Sequence, residues 1–395
     1  PPMFLLWFCK FFSLVHIVHG WELGPFVRHE EENPVLEPRS DTQFYCPKSE
    51  KQVKWEEKDV FNPAAVVKDG KVYLLYRAED KVGRLAGTSR IGLAVSDDGV
   101  KFDRRLTPVL YPDHDINEAI EWDGGIEDPR VVEREDGSFV MTYTSYDGVA
   151  RLCIATSDDL MVWTKHGSAF KGRLKDVWSK SGSIICRREG TRIIATKING
   201  KFWMYFGENF VNVATSDDLI AWEPVMKEDA GAYRGRPDQK SVEGLEPLPI
   251  FGPRKGRFDS ELVEPGPPAI ITDEGIVFIY NSKNKWCPPV GHCRGGEADS
   301  TIPPGTYSAG QVLLSLDDPT QVLSRTDESF MKPEMNFEIV GQVANVCFLE
   351  GLVYYQGEWL LYYGTADSKI AVAHARPPHT KPEELIAHEI DSKEL

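Results

Sequence analysis

The strongest constraint on this chain is an internal repeat. Three segments end alike: IGLAVSDDGVKF from Ile91, LCIATSDDLMVW from Leu152 and VNVATSDDLIAW from Val211. Their Ser-Asp-Asp triplets begin at 96, 157 and 216, steps of 61 and 59 residues. A degenerate fourth copy, QVLLSLDDPTQVL, starts at Gln311. A second echo precedes each triplet: an apolar run, a turn containing Gly, then aromatics. It reads AAVVKDGKVYLLYRAED, RVVEREDGSFVMTYTSY, RIIATKINGKFWMYFGE and AIITDEGIVFIYNSK, and again as LVYYQGEWLLYYGTAD followed by IAVAHA. The runs are short, alternating, and rich in β-branched and aromatic residues, which is strand patterning. Asp-Gly and Asn-Gly between such runs signal hairpins. Each unit therefore reads as four strands. Five such units predict an all-β, five-bladed β-propeller, because one sheet cannot bury both faces alone and must stack in a ring. An open double sandwich is the alternative.

The spacing also locates what lies outside the repeat. The third and fourth triplets are 99 residues apart, and two insertions account for the stretch. Lys227 to Arg257 is rich in Gly, Pro and charge, and Asn284 to Gly305 is rich in Gly, Pro and Cys. Both read as long loops, the kind that rim a propeller mouth and carry function. Residues 21–60 are expected to wrap the ring, with a polar tail after Arg376, so that 21–395 form one catalytic domain. Residues 1–20 contain the apolar run FLLWFCKFFSLVHIV, interrupted by Lys10 and too short for a comfortable span. They read as a signal peptide cut near Gly20, which implies a secreted or periplasmic protein with no membrane attachment in the mature form.

Charge and cysteine usage narrow the partners. Lys plus Arg number 45 against 61 Asp plus Glu, a net charge of −16. Such a surface repels phosphate backbones, so nucleic acid is excluded as a partner. Seven cysteines are too few for a disulfide scaffold. Cys46, Cys153, Cys186 and Cys347 read as buried thiols, whereas Cys287 and Cys293 could pair after export. With His292 they lack a second pair for zinc, no Asp-rich calcium loop is visible, and no metal or cofactor is expected. Oligomeric state is not readable.

In a propeller the innermost strand of each blade begins near the axis, so polar residues there converge on one pocket. Read across the blades, these are Asn62, Arg77, Glu79, Asp80, Glu127, Asp128, Arg130, Glu208, Glu261, Glu264, Glu350 and Asp367. Many carboxylates with Arg interleaved suit glycoside chemistry, in which one acid protonates the leaving oxygen and another group activates water. Crowded like charges also raise one pKa, which helps make a general acid. No phosphate loop, HExxH or Gly-x-Ser-x-Gly elbow competes.

The segment GGIEDPR, Gly124 to Arg130, resembles the signature of glycoside hydrolase family 130, the β-mannoside phosphorylases and β-mannosidases. FNPAAVV at Phe61, LLYRAED at Leu74, SRIGLAVSDDG at Ser89, EPGPPAIIT at Glu264 and LLYYGTADSKIAVA at Leu360 are similar as well. The resemblance implies a five-bladed propeller and exo-acting, inverting chemistry on a terminal β-mannose. It implies Asp128 as the general acid, passing its proton through a hydroxyl of the sugar. It also implies a mannose pocket lined by Asn62, Arg77, Ser89, Arg90 and Asp367, with Lys180 at a basic position and Arg130 as a buttress. Family phosphorylases carry Arg, Lys and His where this chain has Glu208, Glu264 and Asn281, and Asn281 is counted with Lys180 among the substrate-binding residues. Two added carboxylates repel phosphate and suit a base for water. The resemblance therefore points to the hydrolytic branch, releasing mannose from β-1,2-linked mannosides. A phosphorylase making mannose 1-phosphate is the alternative, and a silent sugar-binding propeller is a third reading. Glu208 and Glu264 both remain candidates for the base.

Overall fold

The computed structural model describes residues 20–81, 87–236, 238–286 and 296–377. The segment read as a signal peptide up to residue 19, the Cys287 and Cys293 pair and the tail beyond 377 lie outside the described residues.

Five antiparallel sheets follow one another along the chain as the blades of a β-propeller. The first blade runs Asp59–Lys68, Lys71–Glu79, Ser89–Ser96 and Asp103–Arg104. The second runs Gly125–Glu133, Phe139–Tyr146, Ala150–Ser157 and Thr164–Ser168. In the third, Ser183–Glu189 is followed by a short Arg192–Ala195 strand, then Phe202–Phe206, Val211–Ser216 and Glu223–Pro224. The fourth has a broken inner strand, Leu262–Pro265 and Ala269–Thr272, before Gly275–Lys283, Tyr307–Leu314 and Val322–Arg325. The fifth is Cys347–Tyr355, Glu358–Thr365 and Lys369–Ala375, and its outer strand comes from the other end of the chain. Val27–Arg28 pairs with Ala373 and His374, and Leu36 bridges to Ile370. This N-terminal segment thus supplies the outer strand of the last blade.

The strands are buried on both faces because each sheet is sandwiched between neighbours, so their apolar runs are nearly continuous. Large aromatics such as Tyr76, Tyr143, Tyr205, Tyr280 and Tyr362 fill the spaces between sheets. Cys46, Cys153, Cys186 and Cys347 are buried free thiols.

The repeated triplet closes the first three blades at the end farthest from the start of the inner strand. Ser157 Oγ accepts the backbone N–H of Leu160 at 2.9 Å, and Asp159 Oδ1 accepts those of Met161 and Val162 at 2.8 Å each. Ser216 and Asp218 repeat this with Leu219 at 2.9 Å and Ile220 at 2.8 Å, as do Ser96 and Asp98 with Gly99 at 2.8 Å and Val100 at 2.9 Å. Short polar side chains that capture nearby backbone N–H groups favour turns over strands, which is why Ser and Asp recur there. Neighbouring blades bind these turns. Tyr355 Oη donates to Asp97 O at 2.7 Å, Tyr362 Oη to Gly99 O at 2.7 Å, and Asn199 Nδ2 to Asp317 O at 3.0 Å.

Candidate active site

At the opposite end the inner strands break their ladders. Bulges fall between Phe61 and Pro63, between Glu127 and Arg130, and between Leu349 and Gly351, at the openings of blades one, two and five. Asn62 and Asp128 adopt left-handed backbone at φ 47° and 49°, joined by Ser181 at 58° and Asp367 at 50°. Four polar, non-glycine residues in that region, around one axis, are concentrated strain of the sort held at functional sites. Gly125 makes the signature segment possible. It has φ 98°, and a Cβ there would lie 2.2 Å from Ser89 O, so only glycine lets the first two blades meet at this point.

Phe61, Asn62, Arg77, Asp128, Lys180, Glu208, Glu264, Tyr307, Phe348 and Asp367 line a cavity of about 180 Å³ at this end. Asp128 Oδ1 accepts from Asn62 Nδ2 at 2.9 Å and from Arg77 Nη1 at 3.0 Å. The Arg77 guanidinium also reaches Glu79 at 2.7 Å, Glu127 at 3.0 Å and Ser89 Oγ at 3.0 Å, and lies over the Phe61 ring. Across the cavity, Lys180 Nζ is 3.0 Å from Glu264 Oε1 and 3.8 Å from Asp128 Oδ2. A single ammonium therefore touches both the candidate acid and a candidate base. Ser181 Oγ donates to Glu264, and Trp178 Nε1 donates to Glu208 Oε2 at 2.8 Å.

The carboxylates divide by environment. Burial alone would raise Asp128, but Arg77, Lys180 and the Asn62 amide outweigh it and hold this carboxyl well below the usual range. Its neighbour Glu127 is pushed up to about 7, by burial first and then by the charge on Asp128, against the pull of Arg77. The proton present near neutrality belongs to this pair as a unit. Burial also raises Asp367 to about 7 and raises Glu264, with Glu208 adding to the latter and Lys180 opposing. Arg77 and Lys180 stay charged, because their carboxylate neighbours overcome the burial that would lower them.

Of the residues expected to act, Asn62, Arg77, Asp128, Lys180, Glu208, Glu264 and Asp367 meet at this one cavity. Three expected to contact sugar do not line it. Ser89 sits behind Arg77, between that guanidinium and Glu79 at 3.2 Å. Arg90 is buried on the outer side of the strand, where Asp80 holds it at 2.7 Å, with Thr88 O at 3.0 Å and Cys46 Sγ at 3.3 Å. Alternation explains the difference, since Arg90 points to the face opposite Ser89. Asn281 is a strand clamp: its side chain donates to Leu349 O at 2.9 Å and accepts from Leu349 N at 2.8 Å. Glu261 is occupied by Lys283 at 2.8 Å and by the Trp286 N–H, away from the cavity. Sequence reasoning missed Trp178, Tyr307 and Phe348. Tyr307 opens the third strand of its blade, as Ser89 opens the first blade's, so register could have found it. Nothing local marks Trp178.

Glu208 also borders a second cavity of about 480 Å³, whose other walls include Phe210 and the inserted Lys227, Tyr233 and Arg236. Arg236 lies over the Trp178 ring, so the first insertion packs beside the site. Among the described residues, no three His, Cys, Asp or Glu side chains converge as a metal site.

Comparison with known proteins agrees with this architecture. A 1,2-β-oligomannan phosphorylase of Thermoanaerobacter sp. (strain X514) is 32% identical over 348 residues, spanning 86% of this chain and 96% of that protein. A glycosyl hydrolase structure from Bacteroides ovatus superposes with a TM-score of 0.82 at 43% identity, over 91% of this chain and 96% of the other. A structure described with glycoside hydrolases that target β-1,2 mannosidic linkages in Candida mannan gives 0.83 at 43% identity, over 91% and 96%. The family model for glycoside hydrolase family 130, described as β-1,4-mannooligosaccharide phosphorylase, matches residues 26–377. With the five blades and the GGIEDPR loop carrying Asp128 at their axis, the chain belongs to glycoside hydrolase family 130.

Proposed function

We propose that this protein is an exo-acting, inverting β-mannosidase that releases mannose from β-1,2-linked mannosides by attack of water. The activity on β-mannosides is taken from the family and from what its relatives act on. The preference for water over phosphate rests on one observation. Four carboxylates line the cavity, Asp128, Glu208, Glu264 and Asp367, against two cations, and both cations are already engaged. Arg77 is held by Glu79, Glu127 and Asp128, and Lys180 by Glu264 and Asp128. A phosphate dianion needs unengaged cations or a cluster of donors. Here it would meet surplus negative charge in a partly desolvated pocket.

The same groups suit water. Glu208 and Glu264 flank Lys180, and a water between them would give up its proton to one carboxylate as its oxygen attacks the anomeric carbon. Glu264, raised by burial, is a stronger base than a surface glutamate. The glycosidic oxygen must gain a proton as its bond to carbon breaks. Asp128, paired with Arg77 and held ionised by it, is poorly placed to hold that proton by itself, whereas the Glu127–Asp128 pair carries one near neutrality. Delivery through a sugar hydroxyl, as the family resemblance implies, fits a carboxylate clamped this firmly.

The test is incubation with β-1,2-mannobiose, with and without inorganic phosphate. Free mannose at the same rate in both is expected. Mannose 1-phosphate formed only with phosphate would overturn the hydrolytic reading and return the cations around Lys180 to a phosphate-binding role.

A further inference from the structure

Beneath the cavity lies a buried ion pair that the proposed chemistry does not use directly. Arg130 follows Asp128 by two residues and is about 2% exposed, while Glu350 is fully buried at the bulge of the fifth blade's inner strand. Arg130 Nη2 is 2.9 Å from Glu350 Oε1. The same guanidinium donates through Nε to Gly266 O at 2.8 Å, through Nη2 to Pro265 O at 2.7 Å and through Nη1 to Asp128 O at 3.3 Å. It thus grips the backbone of the segment carrying the acid and the two carbonyls that follow Glu264. Gly266 permits the approach: a Cβ there would lie 2.6 Å from Ile279 O and 3.3 Å from Leu349 O. The Asn281 clamp on Leu349 fixes the bulge from the other side. Three blades therefore meet at one guanidinium.

Glu350 itself is unusual. Among the described residues neither of its oxygens receives a hydrogen bond of good geometry, although both are shielded from water. A buried carboxyl without hydrogen bonds costs stability, and apolar side chains would fill such a space more cheaply. Among the described residues its close partner is Arg130, and the charges facing it are Arg130, Asp128, Glu264 and Lys180. Burial pushes the Glu350 carboxyl well above its ordinary value; the permanently charged Arg130 guanidinium, 2.9 Å away, is the main group that opposes this and favours the ionised pair.

We propose that Arg130 and Glu350 form a positioning pair for the hydrolytic reaction: Arg130 sets the separation of Asp128 from Glu264, and Glu350 balances the guanidinium so that its charge does not drain the basicity of those two carboxylates. Neither residue touches substrate. This inference rests on the glycosidase reading above. The sign follows from simple electrostatics, since an uncompensated cation stabilises nearby carboxylates and lowers their pKa values.

The decisive variant is Glu350→Gln, which keeps the shape and removes the charge. In turnover of β-1,2-mannobiose, kcat is expected to fall by about tenfold or more while KM changes less than about threefold, the pattern of misplaced reacting groups rather than lost binding. The whole pH–rate profile is expected to move to lower pH by about half a unit or more. Glu350→Asp, which retains the charge but shortens its reach, should lower kcat and leave the profile in place. That variant keeps the test open if the glutamine form does not fold. A Glu350→Gln enzyme with wild-type kcat and an unshifted profile, differing only in melting temperature, would reduce the pair to a structural tie. If the wild-type chain leaves mannobiose intact with or without phosphate, the glycosidase reading itself falls, and this inference with it.

Discussion

The two ends of the blades obey different rules. At the far end, Ser96, Ser157 and Ser216 close their turns with the same bonds at nearly the same distances, and neighbouring blades bind those turns through Tyr355, Tyr362 and Asn199. At the axial opening the side chains differ from blade to blade. Asn62 and Asp128 occupy matching bulges of two inner strands, whereas Ser181 and Asp367 share their left-handed backbone from outside the named strands. The far end is satisfied locally, by side chains two and three residues from the groups they bind. The opening is satisfied only across blades: Asn62 to Asp128, Lys180 to Glu264, Arg130 to Glu350. Repetition marks where a blade needs only itself and its neighbour, and departure from repetition marks where five blades must agree on one ligand.

This contrast can be broken experimentally. The largest effect is expected at the opening. Asp128→Asn keeps the Asn62 and Arg77 contacts in outline but removes the acid, so kcat on β-1,2-mannobiose should fall by at least about 100-fold. The circular dichroism spectrum should remain that of the wild type. Near-normal turnover would sink the assignment of Asp128.

A smaller effect concerns pH. Asp367 and Glu127 are both raised to about 7 in the folded protein. Unfolded, they titrate near about 4, so between about pH 4 and 7 the folded state keeps protons that the unfolded chain has released. Their contribution to stability is therefore greatest in mild acid and declines as pH rises toward 7. Asp128 works the other way: its pairing stabilises above its unfolded value and is lost as pH falls below it. Asp367→Asn should flatten the decline between pH 5 and pH 8 by about 1 kcal/mol or more, read from denaturant midpoints at the two pH values. An identical decline in wild type and variant would mean that Asp367 titrates normally.

The smallest effect sharpens the comparison from the other side. Ser157→Ala at the far end removes the acceptor for Leu160 N–H and should cost about 1 kcal/mol of stability. It should leave kcat and KM unchanged. A change in kcat would show that the two ends are coupled through the strands.

Much of this was legible in the chain itself. The 61- and 59-residue steps predict the blades, and the turns at Asp69–Gly70 and Asn199–Gly200 fall where Asp-Gly and Asn-Gly stand, with positive φ at all four positions. Asp128 was visible in the GGIEDPR signature, and Glu208 and Glu264 as carboxylates standing where the family resemblance leads one to expect cations. Arg90 was misjudged because a sequence gives the strand but not the face, and residues one position apart look in opposite directions. Asn281 stands directly opposite Glu264 in the sheet, and its capture by Leu349 of the fifth blade is set only by the closed ring. Trp178 was invisible because its role depends on a loop meeting Glu208, 30 residues away, and on the inserted Arg236 covering its ring.

Local chemistry therefore determined what local chemistry can reach: strand periodicity, turn type and the number of blades, all set by residues within a few positions of one another. Only the closed ring decided which carboxylates share a proton, which cation is already engaged, and that Arg130 and Glu350 meet under the cavity. Those outcomes depend on distances of a few ångströms between residues as much as 220 positions apart, and on burial that no single blade supplies.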